Sequence, residues 1–122
     1  MAPEPGQTRS DDFPVQGDLL TDVGGTIGAK VLSTPAMIGM MEHCSTILVY
    51  GQLPEGSATV GFEVCVKHIS AAPEGANCTV SSTLREFADG RKLRFEVEVR
   101  EGDRTIGVGT HERRIIDSTQ FG

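Results

Sequence analysis

Three residues of this chain are of the types that acid, base and nucleophile chemistry needs: Thr34, Glu42 and His68. Glu42 lies in the run Met37-Ile38-Gly39-Met40-Met41-Glu42-His43-Cys44, which continues apolar to Tyr50. A helix that is apolar almost all round is a buried helix. A carboxylate on it loses hydration, which is unfavourable unless the group is paired or protonated. Such a group reads as a general base, or as the orienter of one, with a perturbed pKa. The plainer alternative is a narrow polar stripe shared with His43 and Thr46. His68 ends a strand-like stretch, on the face alternation assigns to Val60, Phe62, Val64 and Val66. It stands where a core meets a cleft, and its plainer role is a hydrogen bond to a backbone carbonyl. Thr34 carries a hydroxyl, but N-capping of the following helix explains it fully. Thr34 and Glu42 are separated by roughly 12 Å of helix at 1.5 Å per residue. They share a site only if a substrate or a second chain bridges them.

His111-Glu112-Arg113 is a second polar group. Alternation puts His111 and Arg113 on one face and Glu112 on the other, as at an exposed strand end. No two histidines have a close ligand spacing and the cysteines are scattered, so no metal site is expected. The chain has no P-loop, dinucleotide fingerprint or Gly-x-Ser-x-Gly elbow.

The elements that must hold these residues follow from local signals. Pro35 suits a first helical position, Gly51 suits the position past a helix end, and Pro54 follows, so the helix runs from about 35 to 50. Residues 1–14 are Pro-rich, polar and acidic, and read as a disordered arm. Residues 15–122 then form a single domain. Val15 to Leu20 suggests a short edge strand, and Gly24, Gly25 and Gly28 a mobile loop. Strand patterns cover Ala58–Ile69, Asn77–Phe87, Lys92–Arg100 and Arg104–Ile116, with Asp89-Gly90 as a hairpin turn. One long helix against one antiparallel sheet is an α+β arrangement.

At 122 residues the chain can bury one core. A net charge of −6 argues against nucleic-acid or anionic-membrane partners. No apolar run approaches the ~20 residues of a membrane span. The N-terminus lacks the basic and apolar regions of a signal peptide, so a cytoplasmic location is expected. Cys44, Cys65 and Cys78 read as buried free thiols.

Three segments together resemble a known family. Thr34-Pro35-Ala36-Met37-Ile38-Gly39-Met40-Met41-Glu42, Val60-Gly61-Phe62-Glu63-Val64-Cys65-Val66-Lys67-His68 and Gly109-Thr110-His111-Glu112-Arg113 are similar to hotdog-fold thioesterases of the fluoroacetyl-CoA thioesterase type. The resemblance covers about residues 18–121. It implies a hotdog fold, a long central helix wrapped by a curved antiparallel sheet, with two sheets joined edge to edge in a homodimer or a dimer of dimers. It implies hydrolysis of acyl-CoA to acid and CoA at the dimer interface, without a cofactor. It assigns Thr34, Glu42 and His68 to catalysis, and Gly61 and Arg113 to substrate binding. Either Thr34 is the nucleophile or oxyanion partner, or Glu42 or His68 activates water. The fluoroacetyl-specific enzyme has lid aromatics before its threonine. Residues 24–33 contain none here, so a general short- or medium-chain acyl group is expected. Lys67, Arg91, Lys92 and Arg94 are candidates for the CoA phosphates by charge alone. The alternatives are a hydratase or dehydratase on the same fold, and a non-catalytic acyl-CoA-binding protein.

Overall fold

A computed structural model describes residues 2–121. Its strands are β1 (Thr8–Pro14), β2 (Leu20–Thr21), β3 (Val31–Leu32), β4 (Ser57–His68), β5 (Asn77–Ala88), β6 (Lys92–Glu101) and β7 (Arg104–Asp117). Its α-helix is α1 (Thr34–Tyr50). Five strands form one antiparallel sheet in the order β1-β5-β6-β7-β4, and β2 pairs with β3 as a separate ribbon. The helix crosses one face of the large sheet. This is the expected α+β hotdog arrangement.

The helix is buried on one stripe rather than all round. Met37, Met41, Cys44, Ser45 and Val49 face the sheet at helical spacing. They meet Val80, Leu84, Leu93, Phe95, Val97 and Val99 from alternate positions of β5 and β6. A single sheet covers a single side of a helix. His43 and Tyr50 are therefore exposed, and Glu42 is only half buried.

Two expectations are corrected at the sheet edges. Residues 8–14 are not a loose arm: Thr8 to Pro14 pair in register with Thr83 to Asn77. Only Phe13 of that strand is buried, so its hydrophobic pattern is faint and its order comes from pairing with β5. Near Leu20 the chain makes a 3-10 turn over Gly17–Leu19 and only the two-residue β2.

The other edge, β4, carries a bulge. Gly61 pairs with Arg113, but Glu63 pairs with Glu112, so Phe62 is the extra residue. One added residue inverts the alternation. Thr59 and Gly61 join Val64, Val66 and His68 on the helix side, while Val60 turns to the outer side. Phe62 also turns out, where the Arg114 guanidinium stacks 3.8 Å from its ring centre. Cys65 lies on the same outer side and is exposed, unlike the buried Cys44 and Cys78. The Asp89-Gly90 turn is present with positive φ at both residues, and Arg91 completes a three-residue loop.

Candidate active site

Thr34 and His68 meet. Thr34 Oγ1 is 2.8 Å from His68 Nδ1. Thr34 is free to do this because it is not the helix cap. Ser33 takes that place: its Oγ accepts the Ala36 N–H at 3.1 Å. Thr34 becomes the first helical residue, ahead of Pro35, and its hydroxyl meets His68 instead of capping the helix. On the sheet side, Gly107 of β7 pairs with His68. A Cβ on Gly107 would collide with Met37 Sδ. The missing side chain lets the first turn of α1 settle against the sheet beside His68.

The other ring nitrogen is unserved. His68 Nε2 is buried and has no hydrogen-bond partner among the described residues. Buried polar atoms in folded proteins nearly always have partners, so this one marks a place where another group belongs. Thr34 and His68 line a cleft of about 280 Å³. Val23, Val31, Leu32 and Ile69 give it apolar walls, and Thr21, Ser33 and Ser70 add hydroxyls. Val23 comes from the loop between β2 and β3 and is half exposed there.

Glu42 belongs to a second cluster. Its Oε2 is 3.8 Å from Arg113 Nη1, and its side chain keeps 41% of its exposure. Gly61 lies beneath it: a Cβ there would be 2.9 Å from Glu42 Oε2. Arg113 is buried and tightly held. Its Nε donates to Thr59 Oγ1 at 2.8 Å and its Nη2 to the Thr59 carbonyl at 3.0 Å. Its Nη1 is 3.2 Å from His111 Nε2. Burial lowers the pKa of Arg113 and Glu42 pulls it back up. An arginine so placed stays a cation.

The polar triplet on β7 is buried, contrary to the expected exposed strand end. β7 lies inside the sheet, between β6 and the edge strand β4, and is flanked on both sides. His111 and Arg113 face the helix. Glu112 faces outward between Arg94 Nη1 at 2.7 Å and Arg114 Nε at 2.8 Å. Arg94 also lies within 4.0 Å of Glu63 and Glu86. His111 is a residue whose role the sequence reading missed. The signal was available: it shares the inward face of a strand with Arg113, Gly107 and Gly109.

The five site residues therefore fall into two groups within one chain. Thr34 and His68 form one; Glu42, Gly61 and Arg113 form the other. The groups share two elements: seven positions of β4 separate Gly61 from His68, and eight residues of α1, roughly 12 Å at helical rise, separate Thr34 from Glu42. Among the described residues no three His, Cys, Asp or Glu side chains gather as a metal would need. No described helix is long and apolar enough to cross a membrane.

Residues 15–119 match the family model described as fluoroacetyl-CoA-specific thioesterase. The chain is 36% identical over 92 residues to the fluoroacetyl-CoA thioesterase of Streptantibioticus cattleyicolor, a stretch covering 75% of this chain and 66% of that one. The chain thus spans just under two thirds of that relative's length. A solved structure of fluoroacetyl-CoA thioesterase superposes with a TM-score of 0.88 at 29% identity, covering 99% of this chain and 93% of the other. A variant of that enzyme with fluoroacetate and CoA gives 0.87 at 30% identity, covering 98% and 99%. A thioesterase-superfamily protein of Thermus thermophilus shares the fold, with a TM-score of 0.86 at 22% identity over 98% and 89%.

Proposed function

Because the chain belongs to the fluoroacetyl-CoA-specific thioesterase family, we propose that it hydrolyses short- or medium-chain acyl-CoA thioesters to acid and CoA at a site shared by two copies. The observation that carries this reading is the 2.8 Å contact between Thr34 Oγ1 and His68 Nδ1. A threonine hydroxyl is a weak nucleophile unless a base is within reach, and here a base is.

The step follows from that contact. Thr34 Oγ1 attacks the thioester carbonyl carbon as its proton passes to His68 Nδ1. The adduct collapses, the C–S bond breaks, and CoA leaves with the proton from His68. Water then attacks the Thr34 ester while His68 takes the water's proton. His68 returns that proton to Thr34 Oγ1 as the acid departs. The sum is acyl-CoA plus water giving acid plus CoA, and no cofactor enters. When Nδ1 accepts from Thr34, Nε2 carries a hydrogen and needs an acceptor. A carboxylate there would hold the ring and stabilise it when charged, as in a Ser-His-Asp triad.

Glu42 of a second copy supplies that carboxylate. The free edge of β4 exposes Val60, Phe62 and Val64, the profile of a strand that expects a partner. Joining two β4 edges antiparallel about a two-fold axis keeps both helices on one face, so inward residues must pair with inward residues. Centring the pair on Cys65 sets Val64 against the partner's Val66. With Phe62 bulged out of the count, it also sets Gly61 against the partner's His68. Glu42 stands above Gly61, so it comes to the partner's imidazole. The apolar walls and the absence of aromatics in residues 24–33 favour a general acyl group over fluoroacetyl. A cytoplasmic location fits the three free cysteines.

The test is thiol release from a panel of acyl-CoA substrates of different chain lengths, with aryl and halogenated members. Release is expected, slowed by about 10²–10⁴-fold in Thr34→Ala and His68→Ala with the unfolding temperature preserved. Hydration of an enoyl thioester without thiol release, or saturable binding without product, would overturn the reading.

A further inference from the structure

His111 takes no part in the proton transfers above, yet it is 2% exposed and both its ring nitrogens have partners. We propose that His111 is a positioning residue for Glu42, acting through Arg113. The inference rests on the catalytic role given to Glu42.

The geometry runs in one line. His111 Nδ1 is 2.8 Å from the Glu63 carbonyl. A carbonyl only accepts, so Nδ1 carries the hydrogen. His111 Nε2 then presents a lone pair, and Arg113 Nη1 donates to it at 3.2 Å. Of the three guanidinium nitrogens, Nε and Nη2 are fixed on Thr59. Nη1 is the arm that faces Glu42, at 3.8 Å. Apart from that ion pair, His111 is its one partner among the described residues, so His111 sets where that arm points.

The surroundings hold the ring in this role. Phe95 stacks against it with centroids 6.1 Å apart and planes 27° apart. A Cβ on Gly61 would lie 3.6 Å from His111 Cε1, so the glycine that makes room for Glu42 also lies against the imidazole. The Glu63 carbonyl belongs to the register shift after Gly61. The bulge therefore fixes the tautomer, the tautomer gives Arg113 its acceptor, and Arg113 fixes the carboxylate. A structural role alone would ask only that His111 hold the bulge.

Two substitutions separate the roles. In His111→Asn the side-chain amide can still donate to the Glu63 carbonyl but is too short to reach Arg113. In His111→Gln the amide oxygen reaches the position of Nε2 and accepts from Arg113. The expected result is a fall in kcat of roughly 10–100-fold for the asparagine variant with KM little changed, and near-full kcat for the glutamine variant. In a Glu42→Gln background the asparagine substitution should lower kcat no further. Full kcat in His111→Asn with loss in His111→Gln would overturn the proposal, as would additive losses with Glu42→Gln. Unimpaired kcat in Glu42→Gln alone would instead remove the reading on which the proposal rests, and the proposal with it. A check that needs no variant is nitrogen NMR of the native imidazole. It should show a neutral ring at pH 7 protonated at Nδ1; a ring protonated at Nε2 or at both nitrogens would overturn the proposal.

Discussion

Thr34 and His68 are 34 positions apart in sequence, yet their side chains meet at 2.8 Å. Two neighbours make this meeting possible. Ser33 caps the helix in place of Thr34, and Gly107 lets the helix start close over the strand that ends at His68. The chemistry of Thr34 therefore depends on the residue just before it.

Gly61→Ala should impair turnover more than folding. The added Cβ would sit 2.9 Å from Glu42 Oε2, and the far end of a flexible side chain can move aside. Displacing that carboxylate should lower kcat by about tenfold or more. The thermal unfolding midpoint should shift by only a few degrees, for a change on the order of 1 kcal/mol in a domain of this size. Steady-state kinetics beside a thermal melt would check this, and a collapsed fold with normal specific activity in the surviving fraction would contradict it.

Much of this arrangement was legible in the sequence. The helix limits and the four long strands followed from caps, turns and alternation. What escaped had physical causes. Ser33 and Thr34 are both good N-caps, and side-chain chemistry alone does not rank two adjacent hydroxyls. The bulge at Phe62 leaves no break in the apolar alternation, so Val60 and Phe62 read as inward when they face outward. Strand β1 has one buried apolar residue, and only its partner strand reveals it. Glu42 is half exposed rather than buried, because a single sheet covers only one side of the helix.

Cys65 reports on the register of the shared edge. In the proposed assembly it faces its own copy across the two-fold axis. Directly opposed residues of antiparallel strands have Cα atoms about 4.5–5.5 Å apart, within the range a disulfide spans. Mild oxidation with diamide should yield a covalent dimer on a non-reducing gel, and Cys65→Ser should abolish it, since Cys44 and Cys78 are buried. A solution dimer in which Cys65 never cross-links would place the two-fold axis elsewhere.

Acid should weaken the fold in two separable steps. Burial is the main reason the pKa of His111 lies below its ordinary 6.5, and Arg113 adds to it. The unfolded chain then takes up a proton that the folded chain refuses. Stability should fall as pH drops below about 6.5, until the folded histidine protonates as well. For Glu112, burial pushes upward, but Arg114 and Arg94 outweigh it and leave the pKa below the ordinary 4.5. Its stabilisation is complete above the ordinary carboxylate range and is lost as pH falls through the lowered folded value. Urea midpoints from pH 8 to pH 3 should show that His111→Gln flattens the first step and Glu112→Gln the second. Unchanged profiles in both variants would contradict this assignment.

The central claim is that one copy's Thr34 and His68 work with the other copy's Glu42, and subunit mixing tests it most directly. Glu42→Gln and His68→Ala homodimers should each be nearly inactive. In a mixed dimer, one site would combine both substitutions and the other would carry neither. Random reassociation of equal amounts should therefore restore about a quarter of wild-type activity, by the two-fold symmetry of the pair. No recovery, in samples where mixed dimers are shown to form, would mean that Glu42 and His68 act within one chain and that the shared site is wrong.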